Sequence, residues 1–473
     1  MVQPRPPLRP PLIALFVLGA VYLMWALLSY WTNYNSWLRY LAWKLRRSGP
    51  TRPSLPAVFP MVTVQLPVFN EATVVARLLE ASGALDWPVD RLEIQLLDDS
   101  TDGTPVIAGR VIAQLRARGL RVAHVRRADR EGYKAGALRN GLRQAHGEFI
   151  LILDADFVPP PNLLRQLIPW LNDPAVAMAQ GRWTPLTPPR SMIERSAGLW
   201  IDRHFAIDQL SRSRSGQFFH FNGSGGVWRR TAIEDAGGWS EDTLAEDLDL
   251  SFRAWQRGWK FVFDDDAIVP AEVPSSVAAL RIQQSRWSRG AFQVSRKAIP
   301  RLRAARWRDR VTVSLHLTGY VFPVLILALA LTTGPAVWAR GFHPLLGLFA
   351  ADIPAVAFFI GLFAQVGWQL FHEGPRAGWL EIEAAAIGIG MAPLVARAGL
   401  SGLRSDGGEF RRTPKATRAS SSAPPMVYVE GVLGLAALGN AWWAIAAGSP
   451  HMALLPLLAG AGLLAFAWRT IRP

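Results

Sequence analysis

The 473-residue chain reads as an α/β domain, a mostly parallel sheet with helices on both faces, inserted between transmembrane α-helices. Two patterns predict this. Long uncharged apolar runs stand towards both ends of the chain, and the middle alternates short β-branched strands with helical stretches. The charge distribution agrees. The formal net charge is +15, but residues 1–50 hold six basic and no acidic residues, residues 51–310 hold 35 and 29, and residues 311–473 hold 10 and 7. The excess is diluted through the polar middle and concentrated beside apolar segments, as a membrane protein requires, so no nucleic-acid partner is expected. The absence of cysteine excludes a disulfide framework, a thiolate nucleophile and Cys-ligated zinc or iron–sulfur sites.

Four regions follow in order. Residues 1–50 form a transmembrane helix and a basic juxtamembrane segment. The run Pro11–Trp31 is 21 uncharged residues, about 31 Å of helix, too long for a cleaved signal peptide. Arg39, Lys44, Arg46, Arg47 and Arg52 outweigh Arg5 and Arg9, which puts residue 50 onward in the cytoplasm. Residues 51–275 form the soluble domain, residues 276–310 an amphipathic interfacial segment, and residues 311–473 a C-terminal transmembrane region with a cytoplasmic loop at 397–426. In that last region Val311–Ala339 and Ile353–His372 are uncharged. Ala384–Ala396 is short for a span, and Gly431–Trp468 is a hairpin broken at Gly448-Ser449-Pro450. Residues 397–418 carry six of the region's ten basic residues, so that loop faces the cytoplasm too. Parity then requires that one of the segments 353–372 and 381–396, the shorter being preferred, is interfacial or re-entrant, giving five spans. The chain is expected to be a multi-pass protein of the cell (inner) membrane with its soluble domain cytoplasmic.

Within that domain, residues 62–69, 94–97, 121–126 and 149–153 read as strands, with helices over 71–83, 104–118 and 135–145 between them. Ligands bind off the carboxyl ends of strands in such sheets, and these ends are acidic: Asn70-Glu71, Asp98-Asp99 and Asp154-Ala155-Asp156. Acids on successive strand ends repel one another unless a cation or donor-rich ligand lies between them. A lone strand-end acid is equally explained as a helix cap, the expected role of Asp102. Alternation along an extended segment sends Asp154 and Asp156 to one side, where a metal ion or diphosphate could meet both. Lys134, one of five lysines in the chain and flanked by Gly132 and Gly136, is either a solvated surface lysine or a phosphate-binding group at a helix start. Glu246 and Asp247 open a further helix, and Gln283, Arg286 and Trp287 lie in the amphipathic segment. Alone, the first pair reads as dipole partners and the second group as an interfacial anchor.

Taken in order, DDS, GYKAGAL, DAD, FNGSGGVWR, AED and QQSRW resemble the membrane-integrated branch of the family 2 glycosyltransferases, which includes cellulose, hyaluronan and chitin synthases. The wording is most similar to the plant cellulose-synthase-like (gluco)mannan synthases and their bacterial relatives. The resemblance covers about residues 60–295 and extends to Phe410-Arg411-Arg412-Thr413-Pro414-Lys415, similar to the F-x-V-T-P-K gating loop of bacterial cellulose synthase. It implies a GT-A type nucleotide-sugar-binding domain. Asp98, Asp99, Asn70 and Glu71 would line the nucleoside pocket, Lys134 would bind the diphosphate, and Asp154 and Asp156 would handle the diphosphate and a Mg²⁺ or Mn²⁺ ion. Asp247, with Glu246 beside it, would be the general base. Gly223, Ser224, Gln283, Arg286 and Trp287 would hold acceptor and product, and Phe410, Thr413 and Lys415 would gate. Ala245 stands where Thr is usual, and Arg412 where Val is usual.

The implied reaction is an inverting hexosyl transfer from GDP-mannose or UDP-/GDP-glucose to a growing β-linked polysaccharide, processive, with export through the enzyme's own helices. Transfer of one sugar to a membrane lipid is the alternative, and an inactive scaffold or transporter a lesser one. A glycoside hydrolase also uses paired carboxylates but needs neither a diphosphate-binding Lys nor a D-x-D.

Overall fold

The computed structural model describes residues 51–340, 348, 352–373, 375–408 and 425–471, with residues 13–14, 17 and 19–24 of the first apolar run. Most of that run, the basic segment after it, and the gating residues Phe410, Thr413 and Lys415 lie outside the described residues.

The soluble domain is built on seven strands: β1 (Val62–Val68), β2 (Leu92–Asp98), β3 (Arg121–Arg126), β4 (Phe149–Ile152), β5 (Val176–Pro185), β6 (Gly226–Arg229) and β7 (Lys260–Ala271). Their order is β3-β2-β1-β4-β6-β5-β7. The β3-β2-β1-β4 half is parallel, as expected, whereas β6 runs antiparallel between β4 and β5. The sheet is therefore mixed. Because β6 runs backwards, the chain enters it beside the carboxyl end of β4, where Gly226 pairs with Ile152. The loop before β6 is thus delivered to the same edge that the acidic strand ends occupy.

Period-2 alternation sorts side chains between two cores. Val62, Val64, Leu66 and Val68 of β1 join α1 (Val75–Ser82) and α2 (Thr104–Ala117) on one face. Ile150 and Ile152 of β4 join α3 (Tyr133–Gln144), Phe205 and Trp228 on the other. The second face of β1 carries buried polar residues, and they pair across strands: Thr63 Oγ1 donates to Glu93 Oε2 at 2.7 Å and Gln65 Nε2 to Gln95 Oε1 at 3.1 Å. Asp102, one residue ahead of the Gly103 N-cap of α2, accepts the first helical N–H, that of Thr104, at 2.9 Å.

Beyond the sheet, α4 (Met192–Arg203) opens with a Ser191/Glu194 capping box, α5 (Glu246–Gln256) carries the acidic pair, and α6 (Val277–Ala298) is the amphipathic segment. The apolar run from Val311 is split by a turn into α7 (Trp307–Leu317) and α8 (Val321–Arg340). Then come α9 (Ile353–Glu373), α10 (Pro375–Gly390), α11 (Ala392–Arg404), α12 (Met426–Ala446) and α13 (Leu454–Ile471). Among the described residues three helical segments, in α8, α12 and α13, are long and apolar enough to cross a membrane, and α10 and α11 form a pair bent by 47°. Gly448, at φ +72°, turns the chain between α12 and α13. Tyr22 of the first apolar run is fully buried and stacks 6.4 Å from Phe322 of α8.

Candidate active site

A cavity of about 410 Å³ opens over the carboxyl ends of β1, β2 and β4. Three elements wall it: the strand ends with Glu71, Asp99, Asp154 and Asp156, the start of α5 with Glu246 and Asp247, and α6 with Gln283, Arg286 and Trp287. These groups are spread over more than 200 residues of sequence, and the fold brings them to one space.

Asp154 and Asp156 reach the cavity by a route other than strand alternation. β4 ends at Ile152, and Ala155–Asp156 form a turn closed by Phe157 N donating to Asp154 O at 3.1 Å. The backbone N–H of Asp154 donates to Ser224 Oγ at 2.9 Å. Ser224 is fully buried, and its carbonyl accepts from Gln180 Nε2 and Trp183 Nε1, both at 3.0 Å. It therefore sits beneath the cavity and fixes Asp154, while its neighbour Gly223 lines the wall.

Lys134 stands in the first turn of α3. Its Nζ lies 2.7 Å from Asp154 Oδ1 and 3.4 Å from Glu246 Oε1 and donates to Gly223 O at 2.9 Å. Burial alone would lower its pKa, but Asp154, Glu246 and Asp247 together hold it above the ordinary lysine value, so it stays charged. Gly223 has φ +84°, and a β-carbon there would lie 2.9 Å from Asp247 Oδ2 and 3.2 Å from Lys134 Nζ. Only glycine fits between the two groups with that backbone.

Asp247 accepts the N–H of Leu248 at 2.8 Å. Loss of solvent, and then the neighbouring Glu246, push its carboxyl up to about 7, against the pull of Lys134. A carboxylate poised near neutrality suits proton abstraction.

The neighbouring Asp98 and Asp99 part company. Asp99 lines the cavity and is gripped by Arg127, Nε to Oδ1 at 2.9 Å and Nη2 to Oδ2 at 2.5 Å. Arg127 also donates to the carbonyls of Glu131 and Tyr133, fixing the turn ahead of Lys134. Asp98 is buried away from the cavity lining, accepting His124 Nε2 at 2.8 Å and Ser100 N at 2.9 Å. Burial would raise its pKa, yet these hydrogen bonds hold it below the usual carboxylate range. Asn70 likewise stays out of the lining and braces two loops, its N donating to Ser100 Oγ and its Oδ1 accepting Thr101 N. Asn70 and Tyr133 are the two non-glycine residues with positive φ among the described residues, at 56° and 48°, and such strain concentrates at functional rims.

Sequence reading passed over several lining residues. Phe69, Arg130 and Tyr133 form a stack at one end, with the Arg130 guanidinium 3.3 Å from the Phe69 ring centre and 4.9 Å from that of Tyr133. Trp183 comes from the unassigned strand β5, whose alternation is masked because both faces are covered.

Asp154 and Asp156 offer hard carboxylate oxygens suited to Mg²⁺ or Mn²⁺. Among the described residues no group of three or more His, Cys, Asp or Glu forms a metal nest. That composition fits an ion whose remaining ligands come from a diphosphate and water.

Comparison with known proteins adds an independent line. A family model described as Glycosyl transferase family group 2 matches residues 149–366. The chain is 44% identical over 246 residues to Glucomannan 4-beta-mannosyltransferase 2 of Arabidopsis thaliana, covering 51% of this chain and 46% of that one. It is 36% identical over 337 residues to Probable glucomannan 4-beta-mannosyltransferase 11 of the same plant, covering 67% and 75%. The chain thus spans about half the length of the first relative and three quarters of the second. Among solved structures it is similar to mannosyltransferase PcManGT from Pyrobaculum calidifontis in complex with GDP-Man and Mn²⁺, with a TM-score of 0.53 at 24% identity over 82% of this chain and 99% of the other. That likeness is one of fold.

Proposed function

Because this chain belongs to the family 2 glycosyltransferases, we propose that it moves a hexose, with inversion, from a nucleotide diphosphate sugar to a growing β-linked polysaccharide. The product is extended repeatedly and passed outward among the apolar helices. The observation that carries this reading is a single cavity with Lys134, Asp154 and Asp156 on one wall and Gln283, Arg286 and Trp287 on another, with Asp247 lining it too. The names of the relatives favour mannose as the hexose moved and a β-1,4 mannan or glucomannan as product, and GDP-mannose is the donor tested first. The protein is read as integral to the cell membrane with this domain cytoplasmic.

In this reading the nucleoside lies along Glu71 and Asp99, with Phe69 and Tyr133 at the base end, and the diphosphate runs towards Lys134. A Mg²⁺ or Mn²⁺ ion held by Asp154 and Asp156, when bound, supplies positive charge to the diphosphate. Trp287 stacks on the apolar face of the acceptor sugar, and Gln283 and Arg286 hold its hydroxyls and the leaving phosphates. Asp247 takes the proton of the attacking hydroxyl as the new bond to the anomeric carbon forms. The bond from that carbon to the diphosphate oxygen breaks on the opposite side. The charge left on the nucleoside diphosphate is met by Lys134, while Glu246 keeps Lys134 in place.

The test is purified protein in nanodiscs with Mg²⁺ or Mn²⁺ and UDP-glucose, GDP-mannose or GDP-glucose offered separately, with nucleotide release and product size recorded. Long, mannanase-sensitive polymer from GDP-mannose is expected. A single-sugar lipid product would move the assignment to a glycolipid synthase, and no turnover of any donor would remove the enzymatic reading.

A further inference from the structure

Between α6 and α8 the chain carries charge that transfer does not use. Arg301, Arg303, Arg306, Arg308 and Arg310 stand against one acid, Asp309. All five arginines are exposed. Among the described residues none of the five has a carboxylate partner, whereas most arginines around the sheet are paired. Such a cluster is self-repelling and calls for an anionic surface.

The helix that follows says which surface. α7 buries Val313 and Leu317 in a cluster with Leu248 and Phe252 of α5. On a different face it presents Trp307, Val311 and Leu315 at i, i+4 and i+8. Trp307 is 64% exposed, and the other two are half-exposed. The Arg308 guanidinium sits 5.6 Å from the Trp307 ring centre. A second apolar stripe, flanked by arginine and begun by tryptophan, is the pattern of a helix lying at a membrane interface. Only the three-residue turn 318–320 separates α7 from α8, whose membrane-spanning stretch begins at Val321. We propose that the segment Ile299–Leu317 lies on the bilayer surface and binds anionic phospholipid headgroups. Leu302, Val313 and Leu317 pack against the helix that carries Asp247, so this contact supports the catalytic wall from behind, and the transfer rate rises with anionic lipid.

The test compares wild type with the quadruple variant Arg301→Gln/Arg303→Gln/Arg306→Gln/Arg308→Gln, and with the same four positions changed to Lys. Each is placed in nanodiscs of phosphatidylcholine with and without phosphatidylglycerol. Lipid retained after detergent exchange is read by mass spectrometry, and nucleotide release is measured in parallel. Wild type and the Lys variant should enrich phosphatidylglycerol and turn over faster in its presence. The Gln variant should lose that enrichment by about fivefold or more in total, with an unchanged rate in phosphatidylcholine alone. Equal enrichment in wild type and the Gln variant overturns the proposal. So does a Lys variant that behaves like the Gln variant, or a cluster that binds single-stranded RNA with no preference for anionic lipid. Lipid retention is read without any donor sugar, so its outcome is separate from that of the transfer assay.

Discussion

In the proposed reaction the position of one proton on Asp247 decides whether transfer proceeds. The groups facing it are Glu246, Asp154 and Lys134, and it lies near neutrality, so kcat/KM should climb with pH through about 7 and level off above it. Protonated Asp247 cannot accept the acceptor's proton, which fixes the sign. Asp247→Asn should abolish transfer while leaving nucleotide affinity, followed by calorimetry, nearly unchanged. Residual activity within about tenfold of wild type, some 1.4 kcal/mol of barrier, would remove Asp247 from the role of base. A second set of residues controls stability. His220 Nδ1 lies 2.8 Å from His316 Nε2, and Asn222 Nδ2 lies 2.7 Å from His204 Nε2. Gln209 closes the group on Asn222. Desolvation depresses His204, and desolvation with the neighbouring His204 pushes His220 down to about 3. Unfolded histidine titrates near 6.5. Below that pH the unfolded chain binds more protons than the folded one, so stability falls as pH drops from about 6.5 towards 3. The melting temperature of wild type should decline over that window, and His220→Gln should flatten the decline. Equal slopes would show that the pair does not titrate on unfolding.

Elements explain what single residues cannot. Gly290 of α6 packs on the residue that precedes α5: a β-carbon at Gly290 would lie 2.8 Å from Ala245 Cβ and 3.0 Å from its backbone N. Ala245 immediately precedes Glu246 and Asp247, so the crossing of α6 over α5 sets where the Asp247 carboxylate points. On the other side, Gln293 of α6 accepts Leu244 N at 2.8 Å. Gly290→Ala should therefore lower kcat more than tenfold with little change in donor KM, because it shifts the acidic pair and not the nucleotide end. An unchanged kcat would mean that the two helices can separate at no functional cost. This close contact also accounts for Ala at 245, where a larger side chain would press on α6. The contact was not legible in sequence, since the two partners are 45 positions apart, although Ala245 stands out as a departure from the resembled pattern. The four parallel strands and their helices were legible, because period-2 and helical patterns are local. The adjacent acids were only half legible. A strand-end pair such as Asp98-Asp99 can be recognised, but which carboxylate faces the cavity depends on Arg127 and His124, which arrive from the turn after β3 and from β3 itself. The place of Ser224 was illegible for the same reason, since its hydroxyl accepts the backbone N–H of Asp154.

For the whole molecule the open question is how the bent pair of α10 and α11 sits in the bilayer, and its contacts at both ends argue that it never crosses. Near its start, Glu381 pairs with Arg203 of α4, and Glu383 lies 3.7 Å from Arg195 of the same helix. At its end, Gly407 N donates to Asp242 O at 2.8 Å, and Gln293 Nε2 donates to Gly407 O at 2.6 Å. Both ends are thus tied to the soluble domain on either side of a 47° bend, which favours a re-entrant pair over a broken span. Elsewhere the spans are tied to α6 by Arg281, which forms a buried pair with Glu430 of α12 and donates through Nε to Thr470 Oγ1 of α13 at 3.0 Å. Charge alone pointed to the same parity, because a basic loop at 397–418 and the soluble domain must share a side. Its physical cause, an ion pair between residues 178 positions apart, could not be read from the pattern. The parity reading then needs α9 to cross, and its 21 residues give about 32 Å of helix for it. The chain has no cysteine, so single cysteines report topology without background. Leu348→Cys and His451→Cys should react with an impermeant maleimide from the face opposite the soluble domain. Glu373→Cys and Arg404→Cys should react only from the soluble domain's own face. If Glu373→Cys and Arg404→Cys labelled from opposite faces, the bent pair would be a span and the chain would need a different number of crossings.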